Sequence, residues 1–264
     1  MLRRRFILTA LTLFLCLAFA NMVLAAEVET DESTDSGKAK FFIAPYGWLM
    51  GMNATVGAKG YTTKVDSSFS DGFDKVDFAG MLAMEAVWHN RYGIMANLNL
   101  VQLKDQGAYH GIELNGGTDI FFGSAALFYR VISQPLKRHP SAYANFDLIA
   151  GINYWDVGLD LTVDIPTQNT LRVSKSANWV DPIVGARMQI RFNDDWTFVL
   201  QGHVGKGGDT ESTWDAAARF GYRIGNGTSL AIGYRAVNVN RRESNGFVFN
   251  STLHGPVIGL VFTF

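Results

Sequence analysis

The sequence has one cysteine, Cys16, and it lies inside an apolar N-terminal run. A disulfide framework, a thiolate nucleophile and a cysteine-ligated metal are therefore excluded for the rest of the chain. After residue 26 no stretch reaches the roughly 20 consecutive apolar residues that a membrane helix needs. None of the five histidines (His89, His110, His139, His203 and His254) has metal-ligand spacing. No Gly-x-Ser-x-Gly is present. Ser251 and His254 are three residues apart in an extended segment, which does not bring a nucleophile to its base. The sequence thus predicts no cofactor, no metal and no enzyme. Proline is scarce, at six residues, so Pro256 within a strand-like segment is informative.

The first residues read as a leader. Arg3, Arg4 and Arg5 form a basic start, Phe6 to Phe19 is almost wholly apolar, and Val23-Leu24-Ala25-Ala26 offers a small-residue cleavage site. A signal peptide over 1–25 is expected, followed by a disordered acidic periplasmic lead-in over 26–39. Without residues 1–25 the chain has 20 basic and 24 acidic residues, a net charge of −4. That balance argues against nucleic acid as a partner.

What recurs is alternation with a period of two in long segments. Phe146, Leu148, Ala150, Ile152 and Tyr154 share one face, and Asn145, Asp147, Gly151 and Asn153 the other. Val180, Pro182, Val184, Ala186, Met188, Ile190 and Phe192 alternate with Asp181, Gly185, Arg187, Gln189 and Arg191. Strands of a soluble sandwich are usually about five or six residues long, and most of these segments run to about twice that or more. Their polar face holds Asn, Gln, Asp and Arg in near balance with Gly and Ala. That composition suits a narrow, crowded lumen, leaving the apolar face for lipid.

The expected fold is therefore all-β: a transmembrane antiparallel up-and-down β-barrel over residues 40–264. Ten strands are read, at 40–52, 76–89, 92–105, 118–132, 142–161, 168–192, 195–206, 210–224, 228–240 and 247–264. Tight turns at 89–91, 193–194 and 224–227 alternate with longer connections such as 53–75 and 106–117. Twelve strands is the alternative, if 53–75 forms an extra hairpin around Tyr61-Thr62-Thr63. Short turns mark the periplasmic side of such barrels, so both termini are expected to be periplasmic.

Two aromatic girdles are expected at the membrane interfaces. One contains Phe41, Trp88, Tyr92, Tyr129, Tyr143, Phe192, Trp196, Tyr222, Phe262 and Phe264. The other contains Trp48, Phe78, Trp155, Trp179, Trp214, Phe247 and Phe249. Pro256 lacks a ladder N–H, which predicts a bulge at Gly255-Pro256. That bulge would turn Asn250, Thr252 and His254 into the lumen and Phe249 and Leu253 toward lipid.

The last strand places Ile258, Leu260, Phe262 and Phe264 on one face and ends in that phenylalanine. Together with Asp181-Pro182-Ile183-Val184-Gly185-Ala186-Arg187, Ser229-Leu230-Ala231-Ile232-Gly233-Tyr234-Arg235 and His254-Gly255-Pro256-Val257-Ile258-Gly259-Leu260, it resembles a family of Gram-negative outer-membrane β-barrel proteins, loosely porin-like or OmpW-like. The resemblance covers about residues 40–264. It implies a location in the bacterial outer membrane and an assembly signal at Ile258, Leu260, Phe262 and Phe264, read by the barrel assembly machinery. Its motifs are structural and carry no catalytic residue.

The expected lumen-lining set is Glu85, Asn97, Asn99, Asn145, Asp147, Asn153, Asp181, Arg187, Gln189, Arg191, Gln201, His203, Asp215, Arg219, Arg235 and His254. Such a set could form a narrow porin-like pathway for small polar or anionic solutes. Alternatively it forms a salt-bridged plug, because an eight-stranded barrel is just filled by its side chains and about ten strands lie near that limit. In the plugged case the outer loops 53–75 and 106–117 would contact partners.

Overall fold

The computed structural model describes residues 39–58, 61–67, 76–109, 112–164, 171–244 and 246–264. The leader reading, and the lead-in reading save for Ala39, lie outside the described residues. Among the described residues twelve strand segments are present: β1 Lys40–Trp48, β2 Gly51–Ala58, β3 Tyr61–Ser67, β4 Val76–Trp88, β5 Tyr92–Tyr109, β6 Ile112–Pro135, β7 Tyr143–Asp164, β8 Leu171–Arg191, β9 Trp196–Gly207, β10 Thr210–Gly225, β11 Thr228–Arg242 and β12 Val248–Thr263. All pair antiparallel, and β1 pairs with β12 to close the ring.

The barrel has ten staves. β12 pairs with β1 along its second half and with β2 along its first. β1 and β2 are thus two lengths of one stave, interrupted at Leu49-Met50. β3 pairs with β2 above the level where β4 pairs with β1. The hairpin on which the twelve-strand alternative depended does form, as β2 and β3, but β2 continues the stave of β1, so the closed ring keeps ten. The connection read as 106–117 is likewise largely strand: β5 and β6 stay paired up to Tyr109↔Ile112. Strand heights are uneven. β6 has 24 residues and β9 has 12, so β5–β8 rise above their neighbours at the end opposite the termini.

The outward face between the ends is apolar. Leu127 is 65 % exposed, Val184 61 % and Leu148 51 %. Exposed aromatics ring the terminal end: Tyr92, Tyr129, Phe192, Trp196, Tyr222 and Phe264. A second outward aromatic level holds Phe121, packed on Tyr154 at 5.9 Å, and Trp214. Phe121 lies eight residues along its strand from Tyr129, and Trp214 eight from Tyr222. At about 3.3 Å per residue and a tilt of about 40°, the two levels stand about 20 Å apart, close to the apolar band of an outer-membrane barrel.

Above that level the polarity of both faces reverses. Inside, Trp48, Phe122, Trp155, Trp179, Phe247, Phe249 and Leu253 form a buried apolar cluster. Outside, Asn53, Asp119, Ser176 and Asn178 are exposed. A sheet with water outside must bury apolar side chains within, whereas a sheet with lipid outside is free to enclose polar ones. The aromatics expected to form the second girdle follow this rule. Trp48, Trp155, Trp179, Phe247 and Phe249 face inward, and only Trp214 among the described side chains of that set faces out. At the terminal end Phe41 is buried, and Tyr143 turns inward beneath Arg191.

The bulge expected at Gly255-Pro256 is absent. The β11–β12 register runs unshifted from Arg242↔Val248 to Thr228↔Phe262. It is also continuous toward the first stave, with Trp48↔Val257 and Gly51↔His254. Pro256 accepts from Leu49 N at 2.9 Å but has no N–H to return. The ladder loses one bond there, and the first stave is interrupted opposite. Gly255 permits the close approach, since a Cβ would collide with the Leu49 carbonyl oxygen. With no bulge, parity is unbroken. Phe249 and Leu253 point inward, Asn250 and Thr252 point outward, and the Ile258–Phe264 comb lies on the apolar outer face.

Candidate functional site

The site is the barrel interior, built from inward positions that alternate with the lipid-type face. Near the terminal end, Arg187 on β8 reaches Glu85 on β4 with Nη2 to Oε1 at 3.0 Å, and Asp147 on β7 with Nε to Oδ2 at 2.9 Å. Asp147 is fully buried and its other oxygen accepts from Arg130 Nε at 2.8 Å. Arg130 continues to the turn, where Asn90 Oδ1 accepts from Nη1 at 2.6 Å. The Arg187 guanidinium lies over the Phe128 ring, 4.6 Å from its centroid. Asn90 and its neighbour His89 both have a φ of 51°. The left-handed region is where a two-residue hairpin turn needs them.

A second tier lies above. Arg235 on β11 donates to Asp215 Oδ2 at 2.6 Å on the adjacent strand. Its Nη1 crosses to Tyr46 Oη at 2.7 Å, Asn97 Oδ1 at 3.1 Å and Asn99 Oδ1 at 3.0 Å. Tyr46 donates to Asn99 Oδ1 at 2.7 Å, and Asn99 Nδ2 donates to Asn97 Oδ1 at 2.7 Å. The guanidinium rests 4.9 Å from the Trp48 ring centroid, so the polar tier meets the aromatic cluster directly. That cluster stacks Phe122 on Trp155 at 4.6 Å and Trp155 on Trp179 at 5.9 Å. At its far edge Arg241 covers Trp179 at 4.8 Å and pairs with Glu243 at 2.8 Å.

Of the expected lumen residues, Glu85, Asn97, Asn99, Asn145, Asp147, Asn153, Asp181, Arg187, Gln189, Arg191, Gln201, His203, Asp215, Arg219 and Arg235 point inward. Further pairs join Asn153 to His203 at 3.2 Å and Trp179 Nε1 to Asp181 Oδ2 at 3.1 Å. His254 is a correction. It lies on the outer face, where Tyr234 Oη is 2.7 Å from Nδ1 and Asn53 is 3.3 Å from Nε2. Its expected place depended on the bulge that is absent. Tyr46 and Arg130 are inward residues that sequence reasoning missed. Tyr46 shares parity with Trp48, and Arg130 shares parity with Phe128, Ala126 and Ser124.

Outside the barrel wall, Asp194 sits in the exposed turn between β8 and β9. A hydrogen bond from Ser141 holds its carboxyl below the usual range, helped by His139 at 4.0 Å and by the charges of Arg223 and Arg191.

No protein-family model matches the sequence, and no curated protein does. Among solved structures the barrel is similar to the outer-membrane protease OmpT from Escherichia coli. The TM-score is 0.52 at 8 % identity, covering 89 % of this chain and 99 % of that one. The translocator domain of the autotransporter NalP from Neisseria meningitidis matches with a TM-score of 0.36 at 11 % identity, covering 95 % of this chain and 96 % of that one. Ail of Yersinia pestis matches at 0.34 and 10 %, covering 87 % and 99 %. At 8 % identity the likeness to OmpT is one of fold: a closed antiparallel barrel of the outer-membrane type.

Proposed function

We propose that this chain is a bacterial outer-membrane barrel with a closed lumen, whose working surface is the rim opposite its termini. The observation that carries this is the bridging of opposite walls by single side chains. Arg187 joins β8 to β4, and Arg235 joins β11 to β5. A solute would have to break both charged bridges and then pass the stacked aromatics above. Buried charge networks of this kind are costly to open, because each freed group is left desolvated and unpaired.

The termini and the short turns lie on the periplasmic side in this reading. The tall β2–β3 and β5–β6 hairpins, which include the described parts of 53–75 and 106–117, then rise outside the cell, where loops and rims contact partners. Ile258, Leu260, Phe262 and Phe264 face outward on the closing strand, placed for recognition by the assembly machinery before lipid covers them.

Planar-bilayer recording of refolded protein tests the closed lumen. A silent bilayer is expected. Reproducible single-channel steps, lost when Arg187 and Arg219 are neutralised, would overturn it. They would favour the second reading, a narrow pathway for small anions, which draws support from the surplus of guanidinium groups inside. A mature domain that stays monomeric in water without detergent would sink the membrane reading itself.

A further inference from the structure

Four guanidinium groups lie in or beside the two polar tiers of the lumen: Arg130, Arg187, Arg219 and Arg235. Three carboxylates face them: Glu85, Asp147 and Asp215. Arg130 and Arg187 share Asp147, Arg187 also takes Glu85, and Arg235 takes Asp215. One positive charge is left over. Arg219 is that charge: among the described residues its hydrogen-bond partner is the neutral Gln201, Nη2 to Oε1 at 3.4 Å. The Asp215 carboxylate acts on Arg219 only at a distance and is itself bonded to Arg235, so the Arg219 fork has no anion in contact with it.

Arg219 is also reachable. Its stem lies over Gly233, where a Cβ would press on the Arg219 Cγ. Toward the terminal end, the inward positions of β10, β11 and β12 beside it are Gly221, Ser229, Ala231 and Val261, all small or medium and all partly exposed. Nothing fills the space a Cβ at Gly221 would take within 3.8 Å. Two further arginines border this vestibule. Arg191 has a buried Nε with no hydrogen-bond partner, and Arg223 at the mouth is exposed. Asp194 at the mouth is held by Ser141 of the neighbouring β6–β7 turn.

We infer that Arg219 binds a small oxyanion, a carboxylate or phosphate group, at the inner end of a basic vestibule opening on the terminal side of the barrel. The planar guanidinium fork matches two oxygens of such a group. The Arg187 and Arg235 tiers lie beyond it along the lumen. The site needs no conduction, so it stands or falls apart from the closed-lumen reading.

The test uses the full mature chain refolded in detergent micelles, with inorganic phosphate as the probe at constant ionic strength. Thermal unfolding and titration calorimetry compare the wild type with Arg219→Met. Phosphate at about ten times its Kd should raise the wild-type midpoint by roughly 3–6 °C. The variant should show no such rise, and it should be at least as stable as the wild type without phosphate, since it removes a charge that no carboxylate contacts. Equal shifts in both proteins, no binding to the wild type, or a less stable variant in phosphate-free buffer would each overturn the site. If the variant does not fold, the Arg219 Nε resonance of the wild type decides: a shift on adding phosphate supports the site, and an unmoved resonance overturns it.

Discussion

Arg187 and Glu85 stand 102 positions apart in the sequence and are joined across the lumen, Nη2 to Oε1 at 3.0 Å. The pair ties β8 to β4, strands that share no ladder. Arg187→Met leaves Glu85 without its partner and takes one of two arginines from Asp147. It should destabilise the refolded barrel by about 3–5 kcal/mol. Arg187→Met with Glu85→Leu should recover much of that loss, because no charge is then stranded on the β4 side. Urea unfolding in lipid vesicles reads both. A single variant as stable as the wild type would show that the bridge contributes nothing.

The reversal of polarity predicts where tryptophan meets lipid. Trp196 is exposed on the apolar outer face, whereas Trp155 and Trp179 are stacked inside. In single-tryptophan variants, brominated lipids should quench Trp196 and leave Trp155 and Trp179 bright. Trp155→Ala should cost about 3–5 kcal/mol as a core truncation. Quenching of Trp155 by lipid would mean that the upper barrel is not inverted.

The seam between the first and last staves makes two opposite predictions. Gly255→Ala places a Cβ against the Leu49 carbonyl and should cost roughly 2–3 kcal/mol, visible as lost heat-modifiable mobility on a gel. Pro256→Ala supplies the missing N–H and should be neutral or stabilising by about 1 kcal/mol. A harmless Gly255→Ala would contradict the close approach.

Asp194 gives a pH signature. Its carboxyl titrates below the ordinary range, chiefly through Ser141. The stabilisation from this contact between two turns is therefore full above the unfolded-state carboxylate pKa and fades as pH falls through the lowered folded value. Carbon-13 titration of Asp194 should show the depressed value, and Ser141→Ala should move it back up. An unchanged titration in that variant would assign the shift to the nearby basic groups instead.

The staves were legible because side-chain period survives in any half-buried strand: Asn145 to Tyr154 and Val180 to Phe192 lie on the faces their alternation implies. The reversal was missed because alternation has the same period on both sides of it. Only the identity of the inward residue changes, from Asp147 to Trp155 on β7 and from Arg187 to Trp179 on β8. Parity held the answer, since Trp155 is in phase with Asn153 and Trp179 with Asp181. The Pro256 reading failed for a different reason. A missing N–H can be absorbed by interrupting the opposite strand, and that choice is made by the neighbour at Leu49-Met50, far away in sequence.

The same seam also orders events in time. Most ladders in this barrel join consecutive strands and can zip as local hairpins. The seam alone requires Phe42 to find Thr263. The intervening chain makes the largest loop in the molecule, and contacts of such separation slow folding most. Until that loop closes, β4 and β8 lie four ladders apart in an open sheet, about 19 Å at the usual strand spacing, and the Arg187 bridge cannot reach across. The interior charges are therefore a late reward of ring closure, so the nascent barrel must shelter them by other means while it is still an open sheet.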